Sequence, residues 1–283
     1  MEQTPDTSTE RHEAEARMLN LRFCIAYWEL ALLLPAVDGE DDPGWRRRVF
    51  REELLGFHQL VVNGVTHGDV MTHARESLRL AWQDCSHDEE DAVADENWAR
   101  VAPEDARVGL VNDLQLVAPG VWIGSADTLA FVELLAERDI QHRVYCTTTQ
   151  QETRLTSSED GGVVELFDLP RQQFEDVMAC ADGVEQLSTL SSSSCKAITR
   201  IASSLSALIG TNSKAEAPRR PGHGGVLLYC DSGISTSIAM CAALLMTRYE
   251  LPLALAMELL RAARRDISPS RHLRLQLELS GVS

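Results

Sequence analysis

Residues Gly225 to Ser237 constrain this chain more than any other stretch. Val226-Leu227-Leu228-Tyr229-Cys230 reads as a buried apolar strand, Asp231-Ser232-Gly233 as a tight loop, and the following residues as the start of a helix running through Ile238, Met240, Leu244 and Met246. A continuously apolar strand needs cover on both faces, which a parallel sheet flanked by helices supplies. A tight strand-to-helix turn also aims successive backbone N–H groups at one point, and the helix dipole adds positive potential there. Such a nest binds anions and favours the thiolate of a cysteine placed in it.

The flanking sequence alternates in the same way. Leu116 to Gly124 reads as two short strands around the Pro119-Gly120 turn, Thr128 to Arg138 as an amphipathic helix, and Ile140 to Thr147 as a strand. Val163 to Leu169 is a further strand, followed by a helix from Gln172 to Leu187 with Phe174, Val177, Met178, Ala181 and Val184 inward. Alternation of this kind predicts an α/β unit with a central, mostly parallel sheet flanked by helices over residues 112–283. The serine run Ser191 to Ser194 and the Pro/Gly-rich Pro218 to Gly225 interrupt the rhythm, so 188–224 reads as a Ser-rich flexible insertion with one helical piece at Ile198 to Ile209.

Residues 1–85 are patterned differently, as an N-terminal all-α helical region. Met18, Leu21, Ile25, Trp28 and Leu32 recur at helical spacing, as do Phe50, Leu54, Phe57 and Val61, and then Met71, Ala74, Leu78 and Trp82. Breaks are expected at Pro35 and Gly39 and at Asn63-Gly64, with Asp42-Pro43 and Asp69 as helix starts. Residues 86–111 are acidic and poor in apolar side chains, which reads as a linker. The net charge of −17 is concentrated forward: residues 1–105 hold 10 Lys/Arg against 23 Asp/Glu. That surface repels nucleic acid and anionic lipid, so neither is an expected partner. The longest apolar run, Phe23 to Val37, is too short to span a bilayer and is interrupted by Glu29. Seven cysteines without a C-x-x-C pair argue for a reducing compartment, cytoplasmic or nuclear, and the eight histidines form no ligand cluster. No metal or cofactor is expected.

Cys230, Gly233 and Ser237, with Ile234-Ser235 between them, resemble the H-C-x-x-G-x-x-R-[ST] signature of the dual-specificity branch of the protein tyrosine phosphatases. Pro119-Gly120-Val121-Trp122-Ile123-Gly124 is similar to that family's opening strand pair, and Arg264-Arg265-Asp266-Ile267-Ser268-Pro269-Ser270 to the segment joining its last two helices. The resemblance spans residues 112–283. It implies a phosphate-binding loop made of Cys230, Asp231, Ser232, Gly233, Ile234, Ser235, Thr236 and Ser237, with Cys230 in the nucleophile's place. By order of elements it makes Asp168 the candidate general acid. The alternative for Asp168 is a strand-end or helix-capping role.

Two departures bear on function. Thr236 stands where the family has arginine, and Tyr229 where it has the histidine before the cysteine. A guanidinium binds two phosphate oxygens at once, whereas a threonine hydroxyl makes one neutral hydrogen bond. Losing one preorganised transition-state donor costs about 10²–10³ in rate, and two charged contacts are missing here. The expectation is a pseudophosphatase, an adaptor or phosphoprotein-binding regulator in signalling whose partners are phosphoproteins or kinases. The alternatives are a slow phosphatase using Cys230, and a scaffold whose loop binds nothing.

Overall fold

A computed structural model describes residues 7–33, 44–85, 113–158, 161–180, 182–209 and 225–280. The chain divides into two compact units, Met1–Pro103 and Glu104–Ser283.

Among its described residues the first unit holds three helices, α1 (Thr7–Leu33), α2 (Gly44–Val62) and α3 (Asp69–Cys85). The spacing of α2 translates directly into its core, where Phe50, Leu54, Phe57 and Val61 are all buried. The seam of α1 is broader than its period implies. Leu21 and Ile25 are buried, but so are Phe23, Cys24, Ala26, Tyr27 and Leu30, while Leu32 is 52% exposed. Phe23 explains the widening, because its ring packs on Tyr27 and on Phe57 of α2. The turn after α2 falls at Asn63-Gly64 as expected, with Gly64 at positive φ. The expected stops at Pro35 and Gly39, the Asp42-Pro43 cap and the linker 86–111 lie outside the described residues.

The second unit is α/β, with a central, mostly parallel sheet flanked by helices. Its strands are β1 (Leu114–Ala118), β2 (Val121–Ser125), β3 (Ile140–Thr149), β4 (Arg154–Ser158), β5 (Gly161–Phe167) and β6 (Gly225–Cys230). They lie in the order β1-β2-β6-β3-β5-β4. The four inner strands run parallel, and β1 and β4 are antiparallel edges. Its helices are α4 (Val132–Glu137), α5 (Arg171–Met178), α6 (Gly183–Leu208), α7 (Thr236–Tyr249), α8 (Leu253–Ala263) and α9 (Arg271–Ser280). In β6, Val226, Leu227 and Leu228 are all fully buried, as a central parallel strand requires.

Three expectations need correction. The Thr128 to Arg138 helix is a 3₁₀ turn at Ala126–Ala130 followed by α4, with Phe131 between them outside helical geometry. The Gln172 to Leu187 helix is two helices, the first ending at Met178 and the second beginning at Gly183. Most consequentially, Ser188 to Leu208 is no flexible insertion but the body of α6. Leu187, Cys195, Ile198, Ile201, Ala202 and Leu205 form its buried stripe, and Ser191 and Ser194 fall on the same stripe, also buried. Four of its hydroxyls bond back one turn, Thr189 to the Glu185 carbonyl, Thr199 to that of Cys195, Ser203 to that of Thr199 and Ser204 to that of Arg200. Those four are satisfied within the helix itself. Residues 210–224 lie outside the description.

Candidate functional site

The parallel strands β2 and β6 end together while β3 runs on beside them to Thr149, and Cys230 is the last residue of β6, paired with Ser125 at the end of β2. The chain must turn at once into α7, and Gly233 makes that possible. Its φ is +68°, and a Cβ there would lie 2.9 Å from the carbonyl of Gly124 and the backbone nitrogen of Ser125. A side chain would therefore meet backbone that cannot give way.

The loop wraps its donors around the Cys230 sulfur. The Gly233 N–H lies 3.2 Å from Sγ and the Ser237 hydroxyl 3.1 Å from it. Burial opposes ionisation of this thiol. The hydroxyls of Ser237 and Thr236 and the N–H groups of Ser237 and Ser235 outweigh it, bringing the pKa down to about 7. Hydroxyls and N–H groups achieve this with no cation among the causes. A thiol lowered to about 7 is partly ionised at neutral pH, in line with the anion nest expected of this turn.

Thr236, at the arginine's place, is buried and donates to the Cys146 carbonyl of β3 at 2.8 Å. Its one hydroxyl proton is therefore largely committed to the sheet, leaving Ser237 as the main hydroxyl donor to sulfur. Tyr229 has its ring 5.4 Å from that of Tyr145, beside it in β3. The Tyr145 hydroxyl donates to the Asp231 carboxylate at 2.7 Å, and this bond, ahead of burial, raises the phenol's pKa. Asp231 is exposed, so its charge is held at the rim by a partner on β3.

Asp168 follows β5; its N–H bonds the Thr149 carbonyl of β3, and its carboxylate meets Ser270 and His272 at the start of α9. The Ser270 hydroxyl donates to its carboxylate at 2.8 Å while accepting the Leu273 N–H, so Ser270 caps α9 and ties Asp168 to it. His272 lies behind. Its Nδ1 accepts the Leu169 N–H at 3.0 Å, which places the proton on Nε2, 2.9 Å from the Ser191 hydroxyl.

Sequence reasoning missed Asp113, Tyr145, His272 and the reach of Arg264. Asp113 sits at positive φ before β1, accepts the Ser125 N–H at 3.0 Å and pairs with Arg264. Only Arg264 lies in a segment the sequence singles out; the other three gain meaning from partners distant in the chain. Among the described residues no group of His, Cys, Asp and Glu could hold a metal ion, and no helix is long and apolar enough to cross a membrane.

No family model matches the chain, and no curated protein does. Solved structures similar to it include human DUSP28, at 22% identity and a TM-score of 0.39, covering 60% of this chain and 93% of that one. The human tyrosine phosphatase-like serine/threonine/tyrosine-interacting protein is similar at 14% identity and a TM-score of 0.39, covering 59% and 94%. DUSP15 is similar at 19% identity and a TM-score of 0.37, covering 61% and 89%. Identities and scores of this size name neither an activity nor a substrate for the chain.

Proposed function

We propose that the second unit is a pseudophosphatase: a phosphate-ester receptor that docks on phosphoproteins or kinases without hydrolysing them. One observation carries this reading. The loop keeps its N–H groups turned inward on Cys230, while the residue at the arginine's position, Thr236, spends its hydroxyl on the Cys146 carbonyl. Inward N–H groups at a helix N-terminus suit an oxyanion, and Thr236 brings no permanent positive charge to a transferring phosphoryl group. The seven cysteines, all free thiols, fit a cytoplasmic or nuclear setting. On this reading residues 1–85 form a separate helical region offering a second contact surface, joined through the acidic segment 86–111.

The test is a titration with phosphotyrosine and phosphothreonine peptides watched at the Gly233, Ser235 and Ser237 amides, beside an assay of 4-nitrophenyl phosphate. Shifts at millimolar peptide without turnover are expected, with turnover appearing in the double variant Thr236→Arg, Tyr229→His. Still amides at that concentration would leave only a scaffold role. A second reading, a slow cysteine-dependent phosphatase, is favoured by the thiol near 7, which puts a nucleophile in the loop at neutral pH. Turnover by the natural chain that is abolished by Cys230→Ser would establish it in place of the first.

A further inference from the structure

The segment between α8 and α9 lies against the outside of the Cys230 loop at two points. An Arg264 guanidinium N–H donates to the Ser232 carbonyl at 3.2 Å, and the Ser268 N–H donates to the Ile234 carbonyl at 2.7 Å. Each carbonyl shares a rigid peptide plane with the next residue's N–H, and in a trans peptide the two point in opposite directions. The N–H partners of these carbonyls belong to Gly233 and Ser235, two of the donors to the Cys230 sulfur. A carbonyl held outward thus keeps its N–H inward, and a flipped peptide would present oxygen to a thiolate.

We propose that the Arg264–Ser268 segment is a positioning strap, in which the Arg264 side chain and the Ser268 N–H fix two peptide planes so that the loop's inner face stays a donor surface. The strap is itself anchored. Arg264 is mostly buried, pairs with the Asp113 carboxylate and donates to the Gln115 side-chain oxygen at 2.7 Å. Asp113 in turn accepts the N–H of Ser125, the residue paired with Cys230 across the sheet. With its charge paired by Asp113, Arg264 acts on the loop through the peptide plane it holds rather than as a cation facing the sulfur. Arg264 and Ser268 need touch neither the sulfur nor a ligand for this.

The strap deepens the cradle reading above, and its test needs no ligand. Iodoacetamide alkylation of Cys230, followed by peptide mapping to exclude Cys180 and Cys85, is measured across pH about 5.5 to 9 in the full chain. The groups facing the thiol are Cys146 behind it, Tyr145 beside it and Asp231 at the rim, and no strap substitution alters any of them. Arg264→Met moves the profile midpoint upward by about half to one pH unit, so that below it Cys230 reacts about three- to tenfold more slowly. Arg264→Lys keeps a charge at the carbonyl and falls between the two. Ser268→Pro removes the second outer donor and shifts the midpoint in the same direction, which keeps the test available if Arg264→Met fails to fold. A part that merely holds the fold together would lower the melting temperature and leave the midpoint in place. Superimposable profiles in folded Arg264→Met, or in folded Ser268→Pro, would overturn the strap. Midpoints that move in a protein that binds no phosphopeptide would refute the receptor reading alone.

Discussion

Single residues decide what the loop can do, and two have consequences that can be measured apart. Gly233 has no space for a Cβ and a left-handed backbone, so Gly233→Ala destabilises the unit by more than about 1 kcal/mol, read by denaturant unfolding. Thr236→Val leaves the buried Cys146 carbonyl without its donor, a loss of about 1–3 kcal/mol, and removes a hydroxyl from the sulfur's surroundings. A threonine hydroxyl bonded only to solvent would leave the stability unchanged. Cys241, on α7 beyond the loop, is fully buried, and burial raises its pKa.

Among the elements, α6 separates what a pattern says from what packing does. Four consecutive serines carry a loop signature, yet Ser191 and Ser194 are buried while Ser192 and Ser193 are exposed. The two kinds should respond differently to substitution. Ser191→Val strips the buried Nε2–H of His272 of its partner and costs about 1–3 kcal/mol. Ser192→Ala and Ser193→Ala stay within about 0.5 kcal/mol, as surface changes do. Thermal or denaturant unfolding of the three variants side by side checks both statements, and equal small effects would show that the run is not helical. Small hydroxyl residues suit this stripe because α9 lies against it, with Gln276 fully buried and its side chain bonded to the Phe167 carbonyl. No window of sequence within α6 reveals that neighbour.

At the scale of the whole molecule, the Cys230 thiol links stability to pH. Its folded pKa, about 7, lies below the ordinary thiol value, so the folded state sheds its proton first. The resulting stabilisation is complete above the ordinary value and is lost as pH falls through about 7. Its size at full ionisation is about 2–3 kcal/mol. Relative to Cys230→Ser, the natural chain gains stability between about pH 7 and 9, measurable as hydrogen-exchange protection of β6 and α7. The buried thiols Cys146 and Cys241, with raised pKa values, act oppositely only above that window. The α/β class, the parallel strand β6, the three front helices and the Cys230 to Ser237 loop were legible from sequence because each rests on local period and turn chemistry. Breaks within helices, the helical state of the serine run, the edge strand β4 and the company of Asp168 were not. Neither was the way Arg264 and Ser268 grip the loop. Those depend on which backbone and side-chain groups meet across the fold, where one buried hydrogen bond outweighs the weak local preferences that a sequence displays.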